Sequence, residues 1–234
     1  MKSCTSGKRS SGKCFSGKRG GSESMRKHLL GAAVIIATMT YVDLTGVKAA
    51  SSDEQFLYID VAEVTRAPIG WVEFCASHAA ECATSPTTPR DVVLTPKAFR
   101  DLVRVNKWVN DTIKPMTDLE HWGVIEKWSY PDDGYGDCED YVLLKRRLLI
   151  SAGWPREALL ITVVRDKKDE GHAVLTVKTD RGEFILDNQN EDVVSWLETG
   201  YHFVKRQSQH DPNVWVSIGD PRPALLTAAA KQRR

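Results

Sequence analysis

Between Pro96 and Lys114 apolar side chains return at helical spacing. Phe99, Leu102, Val103, Val105, Trp108, Val109 and Ile113 fall on one broad face, and Pro115 ends the run. A second helix is predicted from Asp137 or Cys138 to about Ala152, with Tyr141, Leu144, Leu148 and Ala152 as its apolar stripe. Asp137 is a suitable N-cap, and Gly153 and Pro155 supply the stop. Beyond this helix the period changes to two. Residues 159–165, 172–178 and 183–187 read as strands, with Thr179-Asp180-Arg181-Gly182 as the turn joining the last two. Residues 201–205 and 214–218 extend the same sheet. Residues 50–95 read as irregular apart from a short strand near residues 56–59, and residues 116–136 as turn-rich. Helices first and an antiparallel sheet after them make one α+β domain.

The first 49 residues break this pattern. Ser-Gly-Lys recurs at Ser6-Gly7-Lys8, Ser11-Gly12-Lys13 and Ser16-Gly17-Lys18, in a stretch too poor in apolar residues to fold. A basic start, Met25-Arg26-Lys27-His28, then precedes an apolar stretch from Leu29 to Ala37, and small residues close the segment at Val47-Lys48-Ala49-Ala50. This is the layout of a secretory signal peptide cut after Ala49, and the apolar stretch is shorter than a membrane span needs. The expected organisation is a basic leader over 1–24 (or an upstream extension, with Met25 as the true start), a signal peptide over 25–49, a folded domain over 50–220 and a flexible basic tail over 221–234. The mature protein is then periplasmic or secreted; the alternative is an uncleaved anchor.

Charge follows the same division. Of 32 Lys/Arg and 31 Asp/Glu, nine and two lie in residues 1–49, so the remainder holds 23 basic and 29 acidic side chains, a net of −6. An acidic body argues against general nucleic-acid binding, which needs clustered cations. The leader also holds Cys4 and Cys14, leaving Cys75, Cys82 and Cys138. In an oxidising compartment Cys75 and Cys82, seven residues apart, are expected to form a short-loop disulfide; the alternative is two independent buried thiols. Cys138 is then the odd thiol, which raises a functional question.

Cys138 falls in the predicted first turn of the second helix, where the positive end of the helix dipole lowers a thiol's pKa towards the reactive thiolate. Gly134 and Gly136 just before it would let backbone and substrate approach closely. The predicted hairpin supplies an imidazole and its orienting acid. With Asp180 and Arg181 at the turn centre, residue 174 faces Asp187, and His172 lies one diagonal step away on the same face. A slip of one residue would put Asp187 on the opposite face. Singly, each residue has an ordinary structural reading: a small core cysteine, a structural strand histidine, a turn aspartate. Together, in this order and with compatible geometry, they suit a Cys138–His172–Asp187 triad.

Gly136-Asp137-Cys138-Glu139-Asp140-Tyr141, with Gly171-His172-Ala173-Val174 and Leu186-Asp187-Asn188, resembles the bacterial transglutaminase-like cysteine proteinase family from about Trp71 to Ile218. The resemblance implies a papain/transglutaminase-like core with the triad in the order Cys138, His172, Asp187. It further implies a periplasmic protease that cleaves a large surface adhesin and so releases biofilm, requires calcium, and is sequestered by an inner-membrane cyclic-di-GMP receptor. Asp137 and Glu139, with Asp140, would be the calcium ligands, as hard oxygen donors suit that ion. Their ordinary reading is as acids complementing a helix dipole, and metal binding competes with the N-cap role of Asp137. No organic cofactor is expected. Trp122 and Trp128 are candidates for lining the cleft, with core packing as the alternative. The rival functions are acyl transfer to an amine, a catalytically silent periplasmic binding module and a structural calcium protein.

Overall fold

A computed structural model describes residues 57–84 and 88–219, all within one compact unit, Lys48–Arg234. The predicted leader, signal peptide, cleavage site and tail lie outside the described residues. In chain order the elements are β1 (Val61–Thr65), α1 (Ile69–Ser77), α2 (Pro96–Thr112), β2 (Lys114–Pro115), α3 (Asp118–Trp122), β3 (Tyr135–Gly136) and α4 (Cys138–Ser151). These are followed by β4 (Leu159–Arg165), β5 (Gly171–Thr179), β6 (Gly182–Leu186), β7 (Val194–Ser195), β8 (His202–Gln207) and β9 (Trp215–Ile218).

Seven strands form one sheet in the order β1-β9-β8-β4-β5-β6-β7, and every pairing within it is antiparallel. The α+β expectation holds. Alternation along the central strands separates two apolar sets. Ala173, Leu175 and Val177 of β5 pack with Leu143 and Leu149 of α4, Leu102 of α2, and Trp71, Phe74, Trp128 and Trp215. Val174 and Ile185 pack instead with Trp196, Tyr201 and Phe203.

α2 begins as its residues dictate. Thr95 accepts the Ala98 N–H at 3.1 Å, and Pro96 occupies the first turn, where a missing N–H costs nothing. Its buried face is narrower than the sequence suggests: Leu102, Asn106 and Val109 are buried, whereas Trp108 is half exposed and does not belong to the stripe. α4 is the reverse case. Beyond Tyr141 and Leu144, it also buries Val142, Leu143, Lys145, Arg146 and Leu149, because the sheet covers one side and α2 another.

Three expectations need correction. The strand near residues 56–59 starts instead at Val61, and the segment read as irregular contains α1. α1 burrows in through Gly70, Trp71 and Phe74, and a Cβ on Gly70 would lie 2.2 Å from the Trp128 ring. The turn-rich segment 116–136 holds α3 and β3. The Cys75–Cys82 disulfide is present and ties the end of α1 to the turn after it. Cys138 is the free cysteine among the described residues.

Candidate active site

The β5–β6 hairpin has the predicted register. Thr179 pairs with Gly182 and Leu175 with Leu186, so the next pair along is Val174 and Asp187. The turn is locked by Thr179, whose hydroxyl donates to Gly182 O at 2.7 Å, and by Gly182, whose φ of 111° disfavours any side chain. This register sets His172 and Asp187 on one face, and His172 Nε2 lies 2.8 Å from Asp187 Oδ1. Both side chains are buried.

Asp187 is held from several directions. Oδ1 also accepts the Gln189 N–H at 2.9 Å, and Oδ2 accepts the Tyr201 hydroxyl at 2.6 Å. α2 fixes its backbone: Asn106 Oδ1 accepts the Asp187 N–H at 3.0 Å, and Asn110 Nδ2 donates to Asp187 O at 2.8 Å. Burial pushes the Asp187 carboxyl upward, but the hydrogen bonds and charge of His172, with those of Tyr201 and Gln189, hold it below its ordinary value. Tyr201, raised by burial and by the Asp187 carboxylate, stays a proton donor. Its ring meets that of His172 edge to face, with centroids 5.9 Å apart.

Cys138 opens α4, as the sequence predicts, with Asp137 in the N-cap position. The Asp137 carboxylate does not cap the helix; its Oδ2 accepts the Asp118 N–H at 3.2 Å. The preceding chain is clamped by the short parallel β2–β3 ladder, with Lys114 N to Gly134 O and Met116 N to Gly136 O both at 2.9 Å. Gly136 is required for close approach, but the approaching group is Asp140: a Cβ at 136 would stand 2.7 Å from Asp140 Oδ2. The thiol meets β5 at the backbone N–H of Ala173, the residue after His172. Its S–H donates to Glu139 Oε2 at 3.1 Å.

This environment reverses one expectation. The Cys138 thiol is raised well above its ordinary value, first by burial and then by the carboxylate of Glu139, with Asp137 adding to it. The helix N-terminus does not outweigh the burial of the thiol together with its acidic neighbours.

Carboxylates crowd the start of α4. Oxygens of Asp118, Asp137 and Glu139 all lie within 4.8 Å of one another. Asp140 is fully buried beside them; its Oδ1 accepts the Ser129 N–H at 2.7 Å. Asp118 is buried too, and its Oδ2 accepts the Lys127 N–H. Burial and the Asp137 charge push Glu139 up to about 9. Burial, offset in part by the Ser129 N–H, pushes Asp140 up to about 8. Two buried oxygens, Asp137 Oδ1 and Asp140 Oδ2, have no partner. Buried anions without compensating donors are costly, and oxygen-only donors fit a hard cation such as calcium. Asp118 was not foreseen from the sequence, and it replaces Asp140 in the tightest trio.

Of the two cleft candidates, Trp128 is core: it is buried, packs on Trp71 and Trp215, and donates Nε1–H to Glu126 at 2.7 Å. Trp122 is exposed. Tyr201, Asn106 and Asn110 were also missed. The buried face of α2 does carry a signal, because Asn106 interrupts an otherwise apolar row from Leu102 to Val109.

The family model described as bacterial transglutaminase-like cysteine proteinase matches residues 61–223. A search of curated proteins gives no match. Among solved structures the chain is similar to calcium-bound LapG of Legionella pneumophila, at 24% identity over 52% of this chain and 71% of that one, with a TM-score of 0.44. The EGTA-treated form of the same protein gives 25% identity over 53% and 72%, with a TM-score of 0.43. A third LapG structure gives 24% over 57% and 77%, also at 0.43.

Proposed function

The chain belongs to the bacterial transglutaminase-like cysteine proteinase family and is a cysteine peptidase, and from that premise we propose that Cys138, His172 and Asp187 are its catalytic triad. The observation that carries this reading is the His172 Nε2–Asp187 Oδ1 contact of 2.8 Å, with the Cys138 thiol at the backbone of the next residue along β5. Because Asp187 accepts from Nε2, the tautomer leaves Nδ1 as the base. Nδ1 takes the thiol proton, and the sulfur attacks the scissile carbonyl. The amine leaves with the proton returned by His172, giving a thioester that water hydrolyses. The Cys138 backbone N–H, at the helix start, serves as one donor to the developing oxyanion.

Asp118, Asp137 and Glu139, with Asp140 behind them, would hold a calcium ion. When bound, the ion would neutralise the carboxylates that raise the thiol, making calcium a condition of activity. The unpartnered Oδ1 of Asp137, inside this trio, supports the donor set.

A peptidase acts on a protein substrate. The resemblance extends the proposal to a large surface adhesin as that substrate and to an inner-membrane cyclic-di-GMP receptor as partner, and the signal-peptide layout of residues 25–49 extends it to export after Ala49. Among the described residues no helix is long and apolar enough to cross a membrane.

The deciding experiment follows Cys138 itself. Iodoacetamide should label it faster than a free thiol when calcium is present, and His172→Ala should remove that advantage. Equal labelling of the two proteins would reject the triad. Co-expression with an adhesin should yield a shorter fragment, lost with Cys138→Ala and with EGTA. Incorporation of a labelled amine into a glutamine donor without peptide cleavage would instead assign acyl transfer to amines.

A further inference from the structure

Lys145 is fully buried on α4, the helix that Cys138 opens, and its Nζ has no hydrogen-bond partner. The proton transfers of the triad do not use it. Burying an ammonium without acceptors is costly, and an unbranched apolar side chain of similar length would fill the space without that cost. A titratable group kept beside an active site at the expense of stability points to function.

The elements packed around it define what it meets. α4 lies against β5 and α2. On α4 itself, Tyr141 stands one turn before Lys145; Nζ is 5.8 Å from its ring centroid, and its hydroxyl donates to Ile113 O at 2.6 Å. From α2, Val109 and Ile113 pack on Tyr141 and Leu144, while the neutral amides Asn106 and Asn110 hold the Asp187 backbone. The charge that reaches Lys145 is that of Asp187, just beyond the end of β6. Asp187 is buried as well, and its Oδ1 lies 2.8 Å from His172 Nε2. One buried carboxylate thus serves two bases, an imidazole that hydrogen-bonds to it and a lysine amine that does not. His172 also faces Tyr201, edge to face, Asp166 on the β4–β5 turn, whose carboxylate interacts with it, and the Cys138 thiol at the N–H of the next residue.

Protons on two such bases compete. A carboxylate buried against an imidazole favours the imidazolium, which cannot act as a base. A second cation on the same carboxylate opposes that proton, because the two like charges weaken each other's hold. A neutral side chain at position 145 would leave Asp187 to His172 alone.

We infer that Lys145 is a positioning residue of the triad: its buried ammonium offsets part of the Asp187 charge, which keeps His172 free of a resident proton and its Nδ1 available to the thiol. This inference rests on the assignment of Cys138, His172 and Asp187 as the triad. Lys145 stands about 10 Å along α4 from Cys138 and acts through Asp187.

The test uses the full chain. In a Cys138→Ala background, which removes the thiol, the His172 imidazole is titrated by NMR with and without Lys145→Met. One neighbouring interior charge is worth about one pH unit, so Lys145→Met should move the His172 transition up by about half to one unit. Coupling is reciprocal, so His172→Gln in the same background should move the transition of the Lys145 ε-methylene up by a similar amount. With Cys138 intact and calcium present, iodoacetamide labelling of Lys145→Met at pH 6 should fall about three- to tenfold below wild type, the same shift read as a rate. At pH 9, where burial has already stripped Lys145 of its proton, the two proteins should match. Titrating groups common to both cancel when they are compared at one pH. The inference is overturned if neither transition moves, or if labelling falls equally at pH 6 and pH 9, as a purely structural role would give. Shifted transitions with labelling indifferent to His172→Ala would reject the triad and leave the coupling of Lys145 to His172 standing.

Discussion

The Tyr201 hydroxyl donates to Asp187 Oδ2 at 2.6 Å, on the carboxylate oxygen opposite the one that meets His172. The carboxylate is thus fixed at both oxygens and cannot rotate away from the imidazole. Tyr201 also packs edge-on against His172, so one side chain orients both partners.

Replacing Tyr201 by Phe keeps the ring contact and removes the hydrogen bond. A charge-assisted hydrogen bond contributes about 1.5–3 kcal/mol, so iodoacetamide labelling and peptide cleavage should both fall about tenfold or more. Asp187→Asn should cost more, on the order of 100-fold or beyond, because it also disturbs the imidazole tautomer. Stopped-flow alkylation of the three proteins checks this. A Tyr201→Phe protein as fast as wild type would reduce Tyr201 to packing.

Lys145 gives the pH prediction. It lies on α4 two turns beyond Cys138, fully buried, with no hydrogen-bond partner for Nζ. Burial pulls it down to about 7, against the opposing pull of the Asp187 charge. A lysine with a lowered folded pKa binds fewer protons folded than unfolded between about 7 and its ordinary value near 10.4. Stability therefore rises with pH across that window, by at most about 1.4 kcal/mol per unit, and is lowest below it. Lys145→Met removes this dependence. Urea unfolding at pH 6 and pH 9 should show the variant's advantage over wild type shrinking at the higher pH. A constant difference would mean that Lys145 does not titrate on folding.

The hairpin of the site was legible because its determinants are local. The turn centre at Asp180 and Arg181 fixes the register, and the register places Asp187 against His172. Cys138 was legible because an apolar stripe and a glycine stop define its helix, even though the Asp137 side chain, read as the cap, turns to Asp118 instead. Tyr201 and Asp118 were not. Tyr201 reaches Asp187 only after the chain has passed through β7 and folded back, and Asp118 reaches Asp137 through a two-residue parallel ladder with no sequence signature. α1 was hidden because it has no side-chain cap and little contrast between its faces. The thiol's environment was misread for another reason: a helix-dipole argument considers the backbone alone, whereas Glu139 reaches the sulfur.

The Cys75–Cys82 disulfide closes a short loop, with Cys82 buried in the core that holds Trp71 and Phe74. Chain-entropy arguments give about 2–3 kcal/mol for a loop of this size. Replacing both cysteines by serine should lower unfolding stability by that amount and leave Cys138 labelling in calcium unchanged. A parallel loss of labelling would mean that the disulfide also shapes the site.

The last prediction separates two sets of calcium ligands. The sequence pointed to Asp137, Glu139 and Asp140; the closest carboxylates are those of Asp118, Asp137 and Glu139. Asp118 is the informative residue, because it ties the cluster to the segment from 118 to 127 through its N–H and its carboxylate. A ligand present at about 100 times its Kd stabilises by about 2.7 kcal/mol, so calcium should raise the melting temperature by roughly 5–10 °C. Asp118→Asn and Asp137→Asn should each abolish most of that shift, since each removes one anionic ligand. Asp140→Asn should keep it, because Asp140 lies outside the trio of carboxylates that converge. Thermal unfolding in calcium and in EGTA reads all three. If Asp140→Asn abolishes the shift and Asp118→Asn does not, the ion sits on the helix side of the cluster.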